Sequence, residues 1–100
     1  MTDMAELMQK RMALVAKLSA LNSKQLSNTQ ARSGVEVELT ACIEEIEQSG
    51  ESAAARARQA ELEARYKAAA AACADCDREL DALAEELTTL DQQMQAGPGS

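Results

Sequence analysis

The stretch Ile43-Glu44-Glu45-Ile46-Glu47-Gln48-Ser49-Gly50-Glu51-Ser52-Ala53-Ala54-Ala55-Arg56-Ala57-Arg58 decides how this chain folds. Strong helix formers stand on both sides of Ser49 to Ser52, and a clear stop signal stands inside it. Gly50 can take the left-handed conformation that ends a helix at its C′ position. Ser52 can then accept an N–H of the following helix as its N-cap. The stretch predicts helix one over about 3–48, a turn over 49–52 with Gly50 as its pivot, and helix two over about 53–95. Upstream, Thr2-Asp3 followed by Glu6 offers a capping box, with Asp3 as N-cap and Glu6 reaching back.

Working outward from the turn, a single heptad phase covers helix one. Its a positions are Met4, Arg11, Leu18, Gln25, Arg32, Leu39 and Ile46, and its d positions are Leu7, Leu14, Leu21, Asn28, Val35, Cys42 and Ser49. Helix two carries Gln59, Tyr66, Cys73, Leu80, Leu87 and Met94 at a, with Ala55, Leu62, Ala69, Cys76, Leu83 and Leu90 at d. Repeats of this kind make a coiled-coil seam. Folding the chain at the turn pairs residue i with residue 101 − i, so each a meets a d, as an antiparallel pair requires. Leu14 then faces Leu87, Leu18 faces Leu83, and Leu39 faces Leu62. The polar members fall opposite small residues: Gln25 faces Cys76, Asn28 faces Cys73, and Arg32 faces Ala69. The segment Asn22 to Gly34 is the weakest helix former in the chain, and a strained, frayed or locally broken helix is expected there.

Charge supports the antiparallel direction. Lys10, Arg11, Lys17, Lys24 and Arg32 lie opposite a stretch that holds Asp75, Asp77, Glu79, Asp81, Glu85, Glu86 and Asp91. Nearer the turn the signs invert, and Glu36, Glu38, Glu44, Glu45 and Glu47 face Arg56, Arg58, Arg65 and Lys67. A parallel register would stack like charges. The fold class is therefore all-α, an antiparallel helical hairpin or coiled coil. Assembly into a four-helix bundle, or pairing as a swapped antiparallel dimer, would make the same seam contacts.

Composition limits the function. The 100 residues are 46% hydrophobic, yet Tyr66 is the sole aromatic residue, so the core is a thin seam of aliphatic side chains. Such a molecule is expected to be elongated and to draw stability from partners or self-association. A net charge of −7 argues against nucleic acid and against anionic membrane surfaces. No apolar run approaches the roughly 20 residues that span a bilayer, and the N-terminus lacks signal-peptide features. Three cysteines without secretory features fit a reducing, cytoplasmic setting. Gly97 to Ser100 read as a flexible tail of the kind that cloning leaves.

Catalytic chemistry is not expected. The chain has no His, which removes the commonest general base and the commonest catalytic-metal ligand together. The four glycines, at 34, 50, 97 and 99, make no phosphate loop. Cys73 and Cys76 have redox or zinc spacing. They fall mid-helix on the seam beside Asp75 and Asp77, however, rather than at a helix N-terminus where a thiol is activated. Cys42 is about 20 Å along the seam from Cys73, too far to join a four-ligand zinc site. These thiols read as small hydrophobes of the seam, and no metal or cofactor is expected. The pairs Glu44-Glu45 and Glu85-Glu86 read as solvated flanks.

Two residue sets point to binding. Arg11, Gln25, Asn28 and Arg32 interrupt the apolar seam, where polar residues can set register and partner choice, unless the arginines simply extend past small neighbours into water. Met8, Met12, Val15 and Leu26 form a second apolar stripe beside the seam, which a two-stranded hairpin would leave uncovered. Met-rich helical faces are adaptable docking surfaces. The expected partners are protein helices, the chain's own or another's, in a homo- or hetero-oligomer. In outline the chain is similar to the stalk-like helical hairpins of type III export systems and to the helical arm of seryl-tRNA synthetases, a likeness of helix pattern without motif residues. The absence of a basic face speaks against contact with RNA. The functional expectation is a non-enzymatic interaction or assembly protein. The alternative is a small acidic chaperone-like escort, or a stalk-like accessory of a secretion or filament-assembly system.

Overall fold

A computed structural model describes residues 3–97. Helix α1 spans Met4–Ser49 and helix α2 spans Ala53–Ala96, with no strand among the described residues. The fold is an all-α antiparallel helical hairpin. Its direction is legible in the cross-helix contacts, where rising numbers on α1 meet falling numbers on α2. Arg11 reaches Asp91, Gln25 reaches Asp77, Glu38 pairs with Arg65, and Cys42 approaches Ala55. All fall within about one helical turn of the 101 − i pairing.

The turn works through local chemistry. Gly50 has φ of 85°, and its N–H donates to the Ile46 carbonyl at 2.8 Å. That single bond is the left-handed helix cap, closing an otherwise orphaned carbonyl. Ser52 opens α2, its Oγ accepting the Ala55 N–H at 3.1 Å while its carbonyl accepts the Arg56 N–H at 3.0 Å. At the other end, the Asp3 carbonyl accepts the Leu7 N–H at 3.1 Å. The reciprocal side-chain bonds of an Asp3–Glu6 capping box do not form among the described residues. Gly97 closes α2 with φ of 79°. Pro98 to Ser100 of the expected tail, and Thr2 of the expected cap, lie outside the described residues.

The chain packs as two compact units. One comprises residues 3–25 with 76–97, and its buried residues are Leu7, Cys76 and Leu90. Leu14, Leu18, Leu21, Leu80, Leu83 and Leu87 face the seam in this unit but remain half-buried. The other unit is Leu26–Asp75. Its core is Val35, Cys42 and Leu62, packed against Leu39, Ile46 and Tyr66, with Cys73 also buried. In both units the a and d positions of the heptads are buried or half-buried, apart from Arg11 and Ser49, which are exposed; Thr29, Ala70, Ala72 and Asp91 beside them are half-buried too.

The expected break in residues 22–34 does not occur: α1 is helical throughout Met4–Ser49. Once flanking turns exist, extending a helix adds one hydrogen bond per residue fixed, and that outweighs weak intrinsic propensity. Cross-helix bonds assist within each unit. Gln25 Nε2 donates to Asp77 Oδ1 at 2.7 Å, and Asn28 Nδ2 approaches the Ala72 carbonyl at 3.5 Å. Gly34 sits in this helix with open space where a Cβ would project.

Candidate functional site

Within the first unit, α1 presents two different flanks on either side of its seam. On one, Met8 is 53% exposed, Met12 71% and Val15 41%, which places the stripe outside the intrachain core. One turn of helix separates each from the next, so the three side chains stand in a row. Leu26 is also exposed, at 60%, but belongs to the other unit, where Val37 and Ile43 are further exposed apolar residues. All four residues of the expected stripe are thus exposed, three in the first unit and Leu26 in the second.

The opposite flank was not legible as a site from sequence. There Lys10, Ala13, Leu14 and Lys17 of α1 face Ala82, Glu85, Glu86 and Leu90 of α2 across a groove of about 710 Å³. Lysines form one rim and glutamates the other, over a floor of leucine and alanine. The signal that could have revealed it is the small residue at the c position of each helix, Ala13 and Ala82, beside a Leu14 that stays half-buried.

The polar seam residues divide by what they touch. Arg11 leaves the seam for solvent and its Nε donates to Asp91 Oδ1 at 2.9 Å, with both side chains more than 40% exposed. Gln25, fourteen residues further along α1, makes the equivalent bond to Asp77, fourteen residues earlier on α2. The repeat is a consequence of geometry: an a residue of α1 reaches the same position relative to its facing turn each time two heptads pass. In the other unit, Asn28 reaches the Ala72 carbonyl. Arg32 is half-buried and makes no hydrogen bond or ion pair among the described residues.

The cysteines lie in the packing layer. Cys42, Cys73 and Cys76 are all buried free thiols. Cys42 Sγ lies 3.8 Å from the Ala55 carbonyl, and Cys76 Sγ lies 3.5 Å from the Leu21 carbonyl, each a weak donor to the opposite helix. No group of three or more His, Cys, Asp or Glu side chains among the described residues is arranged to hold a metal ion. No helix of the described residues is long and apolar enough to cross a membrane. Comparison with protein-family models, with curated proteins and with solved structures finds no match to this chain, so its functional reading rests on its own surfaces.

Proposed function

We propose that the protein is a non-enzymatic coiled-coil interaction or assembly protein that docks a helix, its own or another's, on the Met8/Met12/Val15 face. The observation that carries this reading is the row of three exposed apolar side chains on a helix whose core-facing positions are already used. Unbranched thioether chains adapt to varied partner surfaces at low steric cost. In this reading Arg11, Gln25, Asn28 and Arg32 set the hairpin register, each polar seam residue favouring one alignment of the two helices. The same adaptable methionines favour the escort variant of this function, in which the complex is transient. A reducing, cytoplasmic setting suits three buried thiols.

A photo-crosslinking residue at position 12 tests the proposal. Cross-links to a helical segment are expected, and Met8→Glu with Val15→Glu removes them while helix content persists, because an unpaired carboxylate in an apolar contact costs several kcal/mol. Absence of any helical cross-link, with unchanged binding and mass in the double variant, marks the stripe as inert surface. A double variant that unfolds places these side chains in the folding core instead.

A further inference from the structure

We infer that the groove between residues 10–17 of α1 and residues 82–93 of α2 seats the same groove of a second copy of this chain, with a two-fold axis parallel to the local helix axes. The inference is independent of the Met8/Met12/Val15 face, which lies on the other side of α1.

Three observations carry it. First, the groove floor exposes part of the seam itself. Leu14, which lines the groove, is only half-buried. It keeps apolar surface on this side that a second layer of helices would cover. Second, the rims carry opposite charge, Lys10 and Lys17 on α1 against Glu85 and Glu86 on α2. None of these four makes an ion pair among the described residues, so all four charges are available to an occupant. Third, the rim pattern selects the occupant. A helix flanked by one sign of charge is attracted by one rim and repelled by the other. A second copy presents both signs at the same spacing.

Symmetry then fixes the arrangement. Two grooves can meet face to face about an axis across the helices or along them. The first lays Lys rim on Lys rim. The second lays each Lys rim on a Glu rim, and it also makes α1 of one copy antiparallel to the overlying α2 of the other. Isologous contacts of this kind close at two copies.

Charge reversal with rescue is the test. Sedimentation equilibrium of the full chain is expected to give twice the 10.7 kDa chain mass, with association weakening as salt is raised. Lys10→Glu/Lys17→Glu makes both rims acidic, and Glu85→Lys/Glu86→Lys makes both basic. Each variant alone is expected to self-associate roughly tenfold or more weakly than wild type. Mixing the two without denaturation is expected to restore a heterodimer, which also shows that both variants are folded. A wild type that stays monomeric overturns the inference. So does a dimer insensitive to either reversal, or reversed variants that weaken without rescue. A heterodimer that appears only after unfolding and refolding indicates exchanged helices and likewise overturns it. Val37→Glu, at an exposed position of the other unit, is expected to leave the dimer mass unchanged. Charge-reversed groove variants that keep the dimer while Met8→Glu/Met12→Glu abolishes it move self-association to the methionine face and reject the groove.

Discussion

Two glycines in the described helices and turn show how position decides the effect of one residue type. Gly50 holds φ of 85° with empty space around it, so a side chain there meets no neighbour but a strained backbone. Gly50→Ala is expected to cost about 1–2 kcal/mol, the penalty of an L-residue in the left-handed region. For a domain of this size, thermal unfolding would register about 4–8 °C per kcal/mol. Gly34 has equally open surroundings but lies within α1, where its freedom is only an entropic cost. Gly34→Ala is expected to stabilise by about 0.5–1 kcal/mol. Melting curves of the two variants moving in the same direction would contradict the assignment of one glycine to a cap and the other to a helix interior. By contrast, the exposed Arg11–Asp91 pair is worth about 0–1 kcal/mol, so its contribution is to alignment more than to stability.

At the scale of the helix, burial grades the seam. Leu62 is 2% exposed in the core of its unit, whereas Leu18 and Leu83 are half-buried in theirs. Leu62→Ala is expected to cost about 2–5 kcal/mol in denaturant unfolding. Leu18→Ala is expected to cost less in the isolated hairpin, about 1–2 kcal/mol, because less apolar area is withdrawn from water to begin with. Equal losses would show that the seam of the first unit is covered in solution. The continuity of α1 also has a direct check. Amide exchange over residues 22–34 is expected to be slowed like that of a helix, and free exchange there would restore the local break that Ser, Asn and Gly propensities imply.

For the whole molecule, the hinge decides whether the seam closes within one chain or between two. Gly50 and Ser52 supply the two caps that let α1 end and α2 begin within three residues. Replacing Ser49-Gly50 with Ala-Ala removes the left-handed cap and extends helical propensity through the turn. A swapped antiparallel dimer is then expected to form on refolding at high concentration and to persist on dilution, since its release requires opening the paired helices. Gel filtration reads the persistence. A variant that dissociates on dilution as fast as the wild type would show that other contacts hold the hairpin closed.

The antiparallel seam was legible in the sequence because it depends on period. Apolar residues at a and d, and charges that invert in sign along both helices, admit one direction of pairing whatever the details of packing. The turn was legible for a similar reason, since Gly50 and Ser52 act on their own neighbours. The continuity of residues 22–34 was not, because propensity is a property of the isolated segment, and the bonds of Gln25 and Asn28 come from the opposite helix. Nor was the division of the surface. Heptad positions place Met8, Met12 and Val15 beside the seam, but only packing leaves Leu14 partly uncovered between a lysine rim and a glutamate rim. Exposure is set by what the facing helix fails to cover, and that depends on side-chain volumes across the pair, which no periodicity records.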